Sequence, residues 1–153
     1  MVVNIGSESD DWRAQQLSNF AESQFEIDGE WFSSVEGFIQ AIKFPEDHRN
    51  RIFGSILSGV DAKKLGRHAE RKFVWWMGRK IIFGSVEHHE LIARAIIAKF
   101  KQNPHCMVAL IATSGEEITH DLGRPEDPNT SLPADLFCKI LTKIRNAGIA
   151  DDI

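Results

Sequence analysis

The chain has 153 residues, 42% hydrophobic and 26% charged, with a formal net charge of -4. That composition excludes a disordered or fibrous polypeptide, and the acidic balance supplies no general pull toward nucleic acid or anionic membranes. No stretch approaches the roughly 20 apolar residues of a membrane span. The N-terminus shows no basic segment leading into an apolar core, and Cys106 and Cys138 lie outside any CxxC. A single domain over residues 1–153 with reduced thiols in the cytoplasm is therefore expected.

Along the chain, "QFEIDGEWF" (residues 24–32) is two short alternating runs around Asp28-Gly29, the pair that favours a two-residue hairpin. "SSVEGFIQAIKF" (33–44) follows as a helix, with Ser33 as N-cap, Glu36 completing a capping box and Pro45 as the stop. A second helix is expected over about 47–57, and a short third one from Asp61 to Gly66. Residues 71–84 read equally as helix or strand. Leu91, Ile92, Ala95, Ile96 and Phe100 recur at helical spacing between Ser85 and Gln102, and Pro104 ends that helix. "MVALIA" (107–112) reads as a buried strand and "HDLGRPEDPNTSLP" (120–133) as a loop. A last amphipathic helix spans about 133–146, closed by Gly148. The expected fold class is α+β, predominantly helical, with short antiparallel strands.

Four features carry chemistry. In the 33–44 helix, Glu36, Gln40 and Lys43 fall within about 60° of one another, opposite Val35, Phe38, Ile39 and Ile42. Periodicity alone makes this a solvated face; the alternative is a cleft wall, on which Glu36 and Lys43, roughly 10 Å apart along the axis, flank a small substrate. Between Lys63 and Lys80 stand Lys63, Lys64, Arg67, Arg71, Lys72, Arg79 and Lys80 against one acid, Glu70. That cluster is either a wet surface or a phosphate site, with Trp75 and Trp76 in the core or stacked on a base. His88, His89 and His120 have no metal-ligand spacing, so neither a metal nor a cofactor is expected. The 120–133 loop offers Asp121, Glu126 and Asp127 as carboxylate partners.

"LSNF" (17–20), the Asp-Gly hairpin, "SSVEGFIQAIKF", "AKKLGR" (62–67), "RAIIAKFKQNP" (94–104), "LIATSGEEITH" (110–120) and a final helix ending "KIRN" (143–146) together resemble the NADAR family, over roughly residues 5–147. The resemblance implies an α+β body, no metal, and N-glycosidase activity on phosphorylated ribosylamine intermediates of riboflavin synthesis or on ADP-ribosylated guanine. A relative that has lost catalysis and binds ADP-ribose, a nucleotide or a protein is the other outcome. The family's glutamate falls on Glu36, the lysine ending its helix on Lys43 and its serine-asparagine-phenylalanine asparagine on Asn19. The implied roles are catalysis by Glu36, Lys43 and Asp121, and substrate binding by Asn19, Gln40, Lys64, Arg67, Arg71 and Trp76. The chain departs from the family in having Gly37 where a histidine is usual and no Trp-Gly pair before the last helix.

Overall fold

In a computed structural model, residues 1–6 and 8–147 are described. Their order is β1 (Val2–Asn4), α1 (Trp12–Leu17), β2 (Phe25–Ile27), β3 (Glu30–Phe32), α2 (Val35–Ala41), α3 (Asn50–Ile56) and α4 (Gly59–Leu65). There follow β4 (Phe73–Trp76), β5 (Arg79–Ile82), α5 (Val86–Gln102), α6 (Pro104–Ile111), β6 (Glu117–Thr119) and α7 (Ala134–Ala147). The protein is α+β, mostly helical, with short strands. β2–β3 and β4–β5 are antiparallel hairpins, whereas β1 pairs with β6 in parallel, Val3 opposite Ile118.

Both hairpins use the same turn. Asp28 and Gly29 have φ of 50° and 86°, and Met77 and Gly78 have 49° and 78°, so two successive left-handed residues match the twist of the strands. A methionine in that region is unusual, which is why residues 71–84 read ambiguously. The 107–112 segment is not a strand: Pro104 opens α6, which packs against α1, α5 and α7. A six-residue apolar run carries no period that separates a strand from a short helix, here one with Val108 and Ile111 exposed.

The N-cap of α2 is Ser34 rather than Ser33. Its hydroxyl accepts from Gly37 N at 2.9 Å and donates to Leu57 O at 3.0 Å. Glu36 therefore stands one place too early for a capping box, and its carboxylate is free to turn inward. The helix ends at Ala41, and Lys43 N and Phe44 N bond three residues back in a tightened turn well before Pro45. The expected closure of α7 by Gly148 lies outside the described residues.

One apolar cluster joins all of these elements except α3 and α4. Its aromatic centre is Phe32, Phe38 and Trp76, with Phe38 edge-on to both rings at 5.0 and 5.2 Å. α2 and α3 cross closely: a Cβ on Gly37 would lie 2.3 Å from Gly54 O, so only glycine fits at this position. Trp75 N donates to Ile42 O at 2.8 Å, which fastens β4 to the end of α2. With α3, α4, α5 and the β4–β5 hairpin around it, α2 has no solvated face.

Candidate active site

Burial reverses the expectation set by periodicity. Glu36, Gln40 and Lys43 are 8%, 5% and 5% exposed, so the polar stripe lies inside the molecule. α4 does the covering, and Gly66 at its end leaves the space Gln40 occupies, since a Cβ there would sit 1.7 Å from Oε1. Gln40 Nε2 donates to Glu36 Oε1 at 2.8 Å. This i, i+4 pair fixes the carboxylate and leaves Gln40 Oε1 buried with no hydrogen-bond partner.

The stripe forms one wall of a cavity of about 670 Å³. Asn19 and Phe20, from the turn after α1, contribute a second wall, and Lys63 and Arg71 a third. The 120–132 segment closes the fourth with His120, Asp121, Asp127 and Ser131. Asn19 O accepts from Glu36 N at 2.9 Å, so the turn and the helix are in register. The side-chain Oδ1 of Asn19, like Gln40 Oε1, is buried without a partner. Two acceptors bordering one cavity without donors are suited to a ligand carrying hydroxyls or amines. A side chamber of about 210 Å³ opens beyond Gln40 and Lys43, lined by Lys63, Lys64, Gly66, Arg67 and Arg71. It holds five cations, counting Lys43, and no acid.

Burial pushes the Glu36 carboxyl above its ordinary value, opposed by the Gln40 hydrogen bond and the charges of Lys43 and Lys63. Lys43 is lowered to about 8, first by burial and then by Arg71; Glu36 and Asp127 pull it back up, and Lys63 pushes it down. An uncharged amine is thus accessible near neutrality beside a carboxyl that holds its proton longer than usual. His120, with its ring edge-on to Phe137 at 6.0 Å, is also lowered by burial.

Of the residues singled out from the sequence, Asn19, Glu36, Gln40, Lys43, Arg71 and Asp121 line the cavity, and Lys64 and Arg67 line only the side chamber. Trp76 is elsewhere. It is 4% exposed in the core, donates through Nε1 to Asp28 Oδ2 at 2.7 Å, and lies under the Arg51 guanidinium at 5.5 Å. Its ring has no free face for a base, because strand alternation turns it inward. Trp75 does not line the cavity either. Asp121 lines it but is exposed, and its Oδ1 accepts from Gly123 N at 2.8 Å. Asp127 holds Asn129 N in the same way, and Glu126 accepts from Ala134 N at the start of α7. Lys63 and His120 also line the cavity; the sequence placed Lys63 in the basic cluster and His120 among the histidines without metal-ligand spacing, and singled out neither as a site residue. The signal for Lys63 was its place in the same basic cluster as Lys64, Arg67 and Arg71; for His120 there was none beyond loop membership.

A second concavity, about 690 Å³, runs between β6 and α7. Its half-buried thiol, Cys138, is pushed up to about 11 by burial, which leaves it unreactive at neutral pH. Among the described residues no helix is long and apolar enough to cross a membrane, and no cluster of three or more His, Cys, Asp or Glu is placed to hold a metal ion.

A model of the bacteriophage protein GP30.3 family matches residues 11–146. The chain is similar to an uncharacterized 17.1 kDa protein from the gp30–rIII intergenic region of Enterobacteria phage T4: 32% identity over 143 residues, 89% of this chain and 92% of that protein. It is also similar to the N-glycosidase YbiA of Shigella flexneri, with 29% identity over 113 residues. That match spans 74% of this chain but only 65% of the glycosidase. The Escherichia coli K12 YbiA is 28% identical over the same length. The NMR structure of E. coli YbiA superposes with a TM-score of 0.70 at 20% identity, covering 96% of this chain and 84% of that one. The fold is NADAR-like.

Proposed function

We propose that this chain, which belongs to the bacteriophage protein GP30.3 family, is a NADAR-type N-glycosidase acting in the cytoplasm on an N-ribosyl bond. Its substrate is a phosphorylated ribosylamine or an ADP-ribosyl-guanine adduct, bound by one domain spanning residues 1–153. The observation that carries this is the buried Glu36–Gln40–Lys43 wall, in a chain whose relatives include proteins named N-glycosidases.

Glycosidic C–N cleavage builds positive charge on C1 and negative charge on the departing nitrogen. Glu36, protonated longer than an ordinary carboxyl, delivers its proton to that nitrogen as the bond breaks, and the resulting carboxylate stabilises the oxocarbenium-like ribosyl centre. Water then adds to C1 and returns a proton to Glu36. In the covalent variant the Lys43 amine adds to C1 instead of water. The glycosylamine so formed passes a proton from nitrogen to the ring oxygen as the C1–O bond opens to an imine, and water hydrolyses that imine to free the lysine and the ribose. A value of about 8 makes the amine available at modest cost. The basic side chamber, with Lys64, Arg67 and Arg71, takes the phosphate. Asn19 and Gln40 take ribose or base donors on their unpartnered oxygens. Asp121 completes the opposite wall.

One observation favours the binding-protein alternative. The loop acids opposite Glu36 spend oxygens on their own backbone, as an ordering device would.

A hydrolysis screen separates the two. Purified wild type and Glu36→Gln are incubated with phosphorylated ribosylamino-pyrimidines and with ADP-ribosylated guanine in DNA, and free base and ribose phosphate are read by mass spectrometry. Cleavage by wild type that disappears in Glu36→Gln is the expected result. No turnover, together with saturable ADP-ribose binding by calorimetry, would replace the enzyme with the binding protein.

A further inference from the structure

Lys99 sits in the last turn of the long helix α5, 1% exposed, where the helical period calls for an apolar side chain. Its Nζ donates to Ser18 O at 2.9 Å and lies 5.4 Å from the Phe100 ring centroid. Among the described residues no carboxylate is paired with it, and burial lowers it to about 8. A buried ammonium with one carbonyl partner is expensive, and a methionine of similar length would fill the space more cheaply. Nor is the lysine needed to satisfy its partner. Ser18 O also accepts from Ala21 N at 3.1 Å, so the carbonyl would keep a hydrogen bond without Lys99.

What the bond does control is the turn. Ser18 caps α1 and accepts from Phe20 N through its hydroxyl, and the next residue is Asn19. On one side Asn19 O receives Glu36 N; on the other, Ser18 O receives Lys99 Nζ. The peptide between those two carbonyls is clamped by α2 in front and α5 behind. It carries the Asn19 side chain, whose Oδ1 is buried without a partner at the cavity wall.

We propose that Lys99 is a positioning residue for the cavity: it holds the Ser18–Phe20 turn so that the Asn19 amide meets the ligand in register with Glu36. Asn19 as a ligand-reading group rests on the function proposed above; the clamp itself does not.

The test uses Lys99→Met, Asn19→Ala and the double variant of the full chain. Melting is measured by calorimetry, the Asn19 side-chain amide by 15N–1H correlation spectra, and binding with ribose 5-phosphate as the probe. In Lys99→Met the melting temperature should be unchanged or higher, and the Asn19 amide resonances should move or broaden. Affinity for the probe should fall about tenfold, and the double variant should bind no worse than Asn19→Ala, because both changes remove one interaction. Native-like Asn19 resonances in Lys99→Met would overturn the proposal, as would losses that simply add in the double variant. A lowered melting temperature with unmoved Asn19 resonances would reduce Lys99 to a structural role and overturn it equally. Should Lys99→Met not fold, the Lys99 Nζ resonance of wild type is followed during probe titration. A shift at saturation supports the clamp, and an unmoved resonance overturns it. If the wild type does not bind ribose 5-phosphate at all, the function proposed above fails, while the amide spectra still decide whether Lys99 holds the turn.

Discussion

The two facing walls of the cavity are built on opposite principles. On the α2 side the polar groups are buried and tied to one another: Glu36 to Gln40, with Lys43 behind them under α4. On the loop side Asp121, Glu126 and Asp127 are exposed, and each carboxylate is spent on a nearby backbone N–H. The first wall takes its carboxyl and amine out of water, which shifts their proton affinities; the second leaves its three acids exposed, with His120 its half-buried titratable group. Under the function proposed above, loss of water rather than the presence of acids separates a reactive wall from a scaffolding one.

The largest effect should come from removing the Glu36 proton. Glu36→Gln is expected to lower turnover by about 100- to 10,000-fold. Its effect on stability has the opposite sign. Because burial raises the Glu36 carboxyl, ionising it costs the folded state, and that cost is absent below the ordinary value of 4.5 and grows as pH rises. The variant should thus melt like wild type near pH 4 and at a higher temperature at pH 7. A lower melting temperature at pH 7 would mean that the wall is not dehydrated.

Next comes the crossing that buries the wall. In Gly37→Ala the new methyl meets Gly54 O at 2.3 Å and Leu57 O at 2.6 Å, both backbone atoms that cannot swing aside. A loss of about 1–3 kcal/mol is expected in denaturant unfolding. An unchanged midpoint would show that α2 and α3 slide freely, and the comparison between the walls would lose its basis.

Lys43 gives the third test. If its amine attacks C1, kcat/KM rises with pH through about 8, and Lys43→Arg both flattens that limb and costs on the order of tenfold or more. Folding stability should follow the same group. A lysine lowered to about 8 from 10.5 favours the folded state above 10.5 and loses that advantage as pH falls through about 8. Wild type should accordingly gain stability from pH 8 to 10.5, and Lys43→Met should remove part of the gain.

The smallest effects belong to the loop. Asp121→Asn and Asp127→Asn are each expected to change kcat/KM by less than about tenfold, with little change in melting, because the amide oxygen can keep the local turn. A loss at Asp121 as large as that of Glu36→Gln would make the loop wall a catalytic partner and erase the distinction.

Much of the fold was legible where local chemistry and packing agree. The Asp28-Gly29 turn was visible because two left-handed residues have a compositional signature, while the identical Met77-Gly78 turn had only half of it. α5 and α7 stood out through long helical periods. α6 was misread because its apolar residues run on without a break, exposed Val108 and Ile111 beside buried Ala109 and Leu110, so the composition hides the helical period. The site was legible only through the resemblance. Periodicity taken alone sends Glu36, Gln40 and Lys43 to solvent, and the same resemblance sent Trp76 to the ligand when the core had claimed it.

The amino-acid sequence by itself determined the helical body, the first hairpin and the set of side chains that α2 carries, because these depend on propensity, turn chemistry and spacing within a few residues. Whether the polar stripe is wet or dry depended on what packs over it. Gly37 lets α3 approach, Gly66 leaves room for Gln40, and α4 and the 120–132 segment close above. Those contacts are long-range in sequence, and dehydration, which sets the proton affinities of Glu36 and Lys43, exists only once they have formed.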